Sequence, residues 1–304
     1  MIYTLGCSMT KWRWPTWVDW LRVYSQEPVT NWAYTGYCNN QMYWLLLDRL
    51  DQIKVDDQVI IMWPRNDRII QWYDKEWIDE YDCKGFFPDT QGKLWFGNDT
   101  PYLGMYRTHP DHMNSLTHMI INGFACILQT QQLLNSIGCR YLMSYSQNPW
   151  FDGRPTYKPT FEIKWNSKDQ FTSREKETAN QLLSLRPFQN ILKQIDWSKF
   201  IDAPTDLNNP EQYPGIWEYY IAKKEYVIYK HDTDNHPVSL AHHDFALEKI
   251  LKIDPHHGQH RKLSEQISKD SMSIDIPPLS DTEFIADPEM QLLPDNIKII
   301  LENI

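Results

Sequence analysis

The sequence IYTLGCSMT, at residues 2–10, contains a short apolar run that ends in a glycine turn. Aliphatic, aromatic and β-branched side chains that lead to Gly6 predict a strand over residues 1–6. Ser8 follows that strand directly. Because binding and catalytic sites of parallel α/β sheets form beyond the carboxyl ends of the strands, Ser8 stands at a position that suits a reactive side chain.

Strands and helices alternate in the sequence beyond this turn. Apolar runs bounded by turn residues predict three further strands, at 29–34, 57–63 and 140–145. Apolar residues at helical spacing predict helices at 15–24, 42–50 and about 111–135. This alternation favours an α/β fold with a mostly parallel sheet and helices on both faces.

Two segments interrupt the alternation. Residues of about 72–108, rich in aromatic and turn-forming side chains, are a predicted insertion that could serve as a lid, and the polar segment of about 147–183 is a second one. We expect one catalytic domain over residues 1–253. The acidic, proline-containing residues 254–304 form a predicted tail that packs on the domain or makes a homo-oligomer contact.

Composition and charge exclude several classes of protein. Hydrophobic residues make up 41% of the 304 residues and charged residues 23%, which is typical of a globular chain. The formal net charge is −10 and no run of Lys and Arg occurs, so no nucleic-acid partner is expected. No uncharged stretch approaches the about 20 residues that span a bilayer, and the first residues do not resemble a secretory signal, so no membrane association is expected.

Cysteine and aromatic content add two further expectations. The five cysteines are odd in number and lack CxxC spacing, which disfavours a disulfide framework and favours a reducing, cytoplasmic compartment. The 14 Trp and 17 Tyr residues suit both stacking against sugar rings and packing in a core, and both interpretations stay open.

Several polar residues could cooperate with Ser8. A serine hydroxyl is a weak nucleophile unless a histidine takes its proton and a carboxylate orients that histidine, and Asp234 and His236 supply both groups. Gly36 and Asn66 each follow a predicted strand and could donate hydrogen bonds to a developing oxyanion. Taken alone, each of these residues has a simpler interpretation, such as a helix cap at Ser8 or a solvated turn at Asp234 and His236.

Together these residues resemble the SGNH hydrolase superfamily, also called the GDSL-like lipases and esterases. GCSMT at residues 6–10 is similar to the serine block of that family, particularly to its Gly-Cys-Ser-Phe-Thr variant, and Gly36 is similar to the glycine block. WPRND at 63–67 and DNHP at 234–237 look like the asparagine block and the Asp/His block, in the same order along the chain. The resemblance covers roughly residues 1–252.

The resemblance implies a flavodoxin-like three-layer α/β/α sandwich. It implies that Ser8 is the nucleophile, His236 the base and Asp234 its orienting partner, with Ser8, Gly36 and Asn66 as the oxyanion hole. Usual family substrates are acyl esters, including acetyl groups on polysaccharides, so a small-molecule or glycan ester is the expected partner. No metal or organic cofactor is implied.

Departures from the family pattern leave alternatives open. Pro64 stands where the asparagine block has a glycine, and Arg65 or Arg68 could then bind an anionic substrate, with Trp63 as a further substrate contact. The last block has one residue between Asp and His where the family has two, so Asp232 is the alternative orienting carboxylate.

Rival interpretations concern both the chemistry and the function. Cys7 could be the nucleophile, since a thiolate is intrinsically stronger, although the resemblance selects Ser8. Imidazole is a common zinc ligand, and seven histidines fall within 30 residues, although no HExxH pattern is present. They are His231, His236, His242, His243, His256, His257 and His260. The alternative functions are acyl transfer to a sugar hydroxyl by the same triad, and a non-catalytic SGNH-like module for carbohydrate binding or assembly.

Overall fold

Four parallel strands form the central sheet. They are β1 (Ile2–Leu5), β2 (Val29–Asn31), β3 (Gln58–Trp63) and a later strand, β6 (Arg140–Tyr145). The structure is a computed structural model that describes residues 1–12, 14–33, 37–66, 68–73, 93–98, 116–150, 173–223, 226, 236–258 and 260–272. A separate antiparallel pair consists of β4 (Arg68–Tyr73) and β5 (Lys93–Asn98). The structure describes only the backbone of these two strands.

The order of the strands in the sheet is β2-β1-β3-β6. Ile2 in β1 lies opposite Val29 on one side and Gln58 on the other, so the chain order reverses at β1. A single parallel bridge from Met143 to Phe200 continues the sheet beyond β6. Such a reversal leaves a crevice at the carboxyl ends of the two strands that flank it, which here are β1 and β3.

Helices cover both faces of this sheet. The described α-helices are α1 (Trp17–Tyr24), α2 (Asn39–Asp48), α3 (Leu116–Ile137), α4 (Ser173–Ser184), α5 (Arg186–Gln194), α6 (Ile216–Ala222), α7 (Ser239–Phe245) and α8 (Arg261–Met272). A π-helical turn, Ala246–Leu251, extends α7. None of the helices in the described part of the chain combines the length and the apolar character needed to cross a membrane.

Alternate side chains of β3 divide the core in two. Val59, Ile61 and Trp63 pack into one apolar cluster with side chains of α2, α3, α4 and α5. Ile60 and Met62 pack into a second cluster with α1, α6, α7 and α8. Because successive residues of a strand face opposite sides of a sheet, a continuous apolar strand requires helices on both faces, and that is the arrangement found.

The last described helix belongs to the packed structure. Ile267 of α8 is buried in the second cluster, and the hydroxyl of Ser268 accepts a hydrogen bond from Leu240 N at 2.8 Å. Packing therefore continues past residue 253, the domain boundary predicted from the sequence.

Candidate functional site

Ser8 lies in a tight turn directly beyond β1 and is 3% exposed. The turn is closed by hydrogen bonds from Thr10 N and Lys11 N to Cys7 O, at 2.9 and 3.1 Å. A Cβ atom on Gly6 would lie 1.9 Å from Thr10 Oγ1, so only glycine allows the chain to fold back this closely. The conformation that presents Ser8 therefore depends on Gly6.

The backbone of Thr10 ties the turn to its neighbours. Its carbonyl oxygen accepts hydrogen bonds from Thr16 Oγ1 at 2.8 Å and from Asn31 Nδ2 at 3.1 Å. Asn31 also accepts from Thr4 Oγ1 at 3.1 Å and from Ala33 N at 2.9 Å. The turn is thus held between the start of α1 and the end of β2.

The segment that contains His236 packs against the residues that follow Ser8. The indole ring of Trp12 stacks on the imidazole of His236, with ring centroids 3.6 Å apart and planes inclined by 20°. Trp14 Nε1 donates a buried hydrogen bond to Pro237 O at 2.8 Å. The bond from Trp14 joins positions 223 residues apart in the chain, and the two contacts place the imidazole beside the Ser8 segment.

Two further hydrogen bonds and an apolar contact hold the same junction. Trp20 Nε1 donates to Ser239 Oγ at 3.1 Å, and that hydroxyl donates to Pro15 O at 3.1 Å. Met9, next to Ser8, packs against an apolar cluster that includes Val238 and Leu240. The start of α7 is therefore attached to the serine turn and to α1 by polar and apolar contacts.

Asn66 follows β3 and is 2% exposed. Its Nδ2 donates to Pro149 O at 2.9 Å, and its Oδ1 accepts from Asn39 Nδ2 at 2.5 Å. The amide nitrogen carries a second hydrogen, so it can donate one more hydrogen bond. Asn66 and Ser8 thus follow adjacent strands at the same edge of the sheet.

Glu218 holds the loop after β6 and was not predicted from the sequence as a site residue. Its carboxylate accepts from Gly215 N at 2.8 Å and from Asn148 N at 3.2 Å. Burial raises the pKa of Glu218 to about 7, against the opposing effect of these two backbone donors. The spacing Gly215-x-x-Glu218 is that of a helix N-cap and its third residue, and this spacing was the available signal.

Two adjacent histidines of α7 lie in the core near His236. Burial and, to a smaller extent, the neighbouring His236 lower the pKa of His242 to about 3, so the His242 ring is neutral at physiological pH. His243 is fully buried, with Nδ1 2.7 Å from Asp244 Oδ1 and Nε2 3.0 Å from Tyr24 OH. Within the described residues, no group of three or more His, Cys, Asp and Glu side chains is arranged to hold a metal ion.

Several residues proposed from the sequence lie outside the described residues. These include the oxyanion-hole candidate Gly36 and both candidate carboxylates, Asp232 and Asp234. Arg68 lies at the start of β4, where the side chain is not described. The predicted lid and most of the second predicted insertion also lie outside the described residues, apart from their strand and helix segments.

The other candidates have definite places. Trp63 is 1% exposed, and its Nε1 donates to Met143 Sδ at 3.4 Å, so its ring is part of the core. Arg65 is partly exposed just beyond β3. Cys7 is free and 1% exposed, which agrees with a small structural side chain.

A hydroxyl, an imidazole and an amide donor therefore belong to one end of the sheet, in Ser8, His236 and Asn66. These are the groups that acyl transfer through a serine requires, a nucleophile, a base and an oxyanion donor.

No protein-family model matches the sequence, and a search of curated proteins finds no match to it.

Proposed function

We propose that the protein is a serine esterase of the SGNH type that hydrolyses acyl esters, with an acetyl ester of a carbohydrate as the expected substrate. The observation that carries the proposal is the junction between the two ends of the chain. Trp12 stacks on His236 and Trp14 binds Pro237, which brings the block with the imidazole beside the block with Ser8.

The topology supports the same proposal. The order β2-β1-β3-β6, with helices on both faces, is compatible with the flavodoxin-like three-layer sandwich that the resemblance implies. Ser8 and Asn66 stand at the carboxyl ends of β1 and β3, which flank the reversal of strand order. Ligands of open α/β sheets bind at such a reversal.

In the proposed mechanism, Ser8 Oγ attacks the ester carbonyl while His236, oriented by Asp234, takes the hydroxyl proton. The negative oxygen of the tetrahedral intermediate accepts hydrogen bonds from the N–H groups of Ser8 and Gly36 and from the amide of Asn66. His236 then gives its proton to the departing alcohol. Water activated by His236 releases the carboxylic acid from the acyl-enzyme.

The test is hydrolysis of p-nitrophenyl acetate and of an acetylated oligosaccharide by the Ser8→Ala variant. We expect kcat to fall by a factor of about 10³ or more, because the nucleophile is lost, with unchanged circular dichroism. Cys7→Ala is the matched control, and it should retain wild-type kcat because the thiol is buried beside the turn. Undiminished hydrolysis by Ser8→Ala would refute the proposal.

A further inference from the structure

Asn39, the first residue of α2, forms a buried chain of amides with Asn66. Asn39 Nδ2 lies 2.5 Å from Asn66 Oδ1, and Asn66 Nδ2 lies 2.9 Å from Pro149 O. Asn39 is 3% exposed and Asn66 is 2% exposed. The chain connects α2, the loop after β3 and the loop after β6.

The carbonyl of Pro149 determines which way both amides face. A carbonyl oxygen only accepts hydrogen bonds, so Asn66 must direct its NH₂ group towards it. Asn66 Oδ1 then faces Asn39, which must supply an N–H. Because a carboxamide group is planar, these two bonds also fix the direction of the second N–H of Asn66.

Gly123 on α3 provides the space that the two amides occupy. A Cβ atom at this position would lie 1.9 Å from Asn66 Oδ1 and 2.7 Å from Asn39 Nδ2. Any larger residue would therefore displace the pair. The amide of Asn66 is confined on three sides, by Pro149, Asn39 and Gly123.

We propose that Asn39 is a positioning residue that holds the Asn66 amide in the orientation needed to bind the oxyanion. This inference rests on the proposed function, in which Asn66 is an oxyanion-hole donor. A donor that is already oriented stabilises the transition state without reorganising, whereas an amide that can rotate loses part of this effect. The loss then appears in kcat and leaves KM almost unchanged.

The first experiment compares Asn39→Ala with Asn40→Ala in ester hydrolysis. We expect Asn39→Ala to lower kcat by a factor of about 10 to 100 with KM within about twofold, since removal of an oxyanion donor itself costs about 10²- to 10³-fold. Asn40 is a matched control because its Oδ1 accepts from Asn122 Nδ2 at 2.5 Å, which is also an Asn–Asn bond between α2 and α3. Asn40→Ala should leave kcat unchanged, and an equal loss in both variants would overturn the inference.

A double-mutant comparison separates positioning from a general effect of Asn39 on the site. If Asn39 acts through Asn66, Asn39→Ala should cause no further loss of kcat in an Asn66→Ala background. The same fold loss in both backgrounds would contradict the inference. Asn39→Leu, which is close to Asn in size and has no donor, should behave like Asn39→Ala and serves if the alanine variant does not fold.

A crystal structure of the Asn39 variant gives a readout that is independent of activity. We expect the Asn66 amide to turn away from Pro149 O or to adopt more than one orientation. An unchanged Asn66 would overturn the inference even if esters are hydrolysed. Full activity of Ser8→Ala would instead refute the proposed function. The crystal structure of the Asn39 variant would still decide whether Asn39 orients the Asn66 amide.

Discussion

The Trp12 indole lies nearly flat on the His236 imidazole, with ring centroids 3.6 Å apart and an angle of 20° between the planes. Trp12 is four residues beyond Ser8 in the chain. A ring stacked on one face of the imidazole restricts its rotation, so the turn that carries the proposed nucleophile also holds the proposed base. The serine block and the histidine block are thereby coupled.

Replacing Trp12 should therefore impair catalysis more than binding. We expect Trp12→Leu to lower kcat about tenfold with a smaller change in KM, because a loosely held base is misaligned for part of the time. Trp12→Phe should retain most of the activity, since an aromatic ring can still stack. Steady-state kinetics on an acetyl ester measure both values, and wild-type kcat in Trp12→Leu would argue against the coupling.

The serine turn depends on a close approach between Gly6 and Thr10. Gly6→Ala should lower both activity and the free energy of unfolding, by about 1 to 3 kcal/mol, because the new methyl group meets the Thr10 side chain at 1.9 to 3.0 Å. Thr10→Gly removes the atoms that clash, so Gly6→Ala/Thr10→Gly should be more stable than the sum of the two single changes predicts. Urea unfolding measures this coupling, and additive effects would show that the turn tolerates a side chain at position 6.

The buried His242 predicts a specific loss of stability in acid. The unfolded chain protonates this imidazole near pH 6.5, but the folded chain does so only near pH 3. Between these values the unfolded state binds more protons, so the free energy of unfolding rises with pH and falls on acidification. When the pH falls from 6.5 to 4.5, the free energy of unfolding of the wild type should therefore fall by about 2 kcal/mol more than that of His242→Leu.

The exposed His256 supplies the control for that comparison. The control variant His256→Gln removes one histidine from an exposed position of the folded protein. Urea unfolding at several pH values measures the slopes. The same slope in wild type and His242→Leu would mean that His242 is protonated in the folded state at mild pH.

A second prediction for α7 concerns the buried polar network of His243. Its ring nitrogens contact Asp244 and Tyr24, and Asp244 Oδ2 also accepts from Tyr226 OH at 3.0 Å and from Arg261 at 3.2 Å. His243→Phe removes one partner of a buried carboxylate and should lower the free energy of unfolding by about 3 kcal/mol. Calorimetry or urea unfolding would measure the loss, and a change below about 0.5 kcal/mol would show that the network contributes little.

Much of the sheet follows from the sequence because its strands are continuous apolar runs. The strand predicted at 140–145 is observed with the same bounds. The helix predicted at about 111–135 ends at Ile137, and the next residue, Gly138, has φ of +80°. The strand predicted at 29–34 ends at Asn31. There the side-chain oxygen accepts from Ala33 N at 2.9 Å, a local bond that competes with continuation of the strand.

Among the helices that were not predicted, α4 and α8 have largely polar sequences. The helix α4 lies within a predicted insertion and buries the apolar Ala179 and Leu182. The helix α8 lies in the predicted tail, where Ser264 and Ser268 are buried with Ile267. Buried serines do not produce the apolar periodicity on which helix prediction depends.

The sequence predicts only part of the candidate site. Ser8 and Asn66 were identified because they follow strands, and the position at a strand end is visible in the sequence. Asn39 and Glu218 were missed because their hydrogen-bond partners, Asn66 and Asn148, are distant in the chain. Spacing along the sequence does not encode such contacts.

The central claim, that Ser8 is an activated nucleophile, is tested most directly by a fluorophosphonate probe, which reacts covalently with activated serines. The labelled residue is located by mass spectrometry of peptides from the folded protein. We expect one label per chain, on Ser8, and none on Ser8→Ala or after the protein has been unfolded. A folded protein that stays unlabelled, or a label on a different residue, would contradict the account.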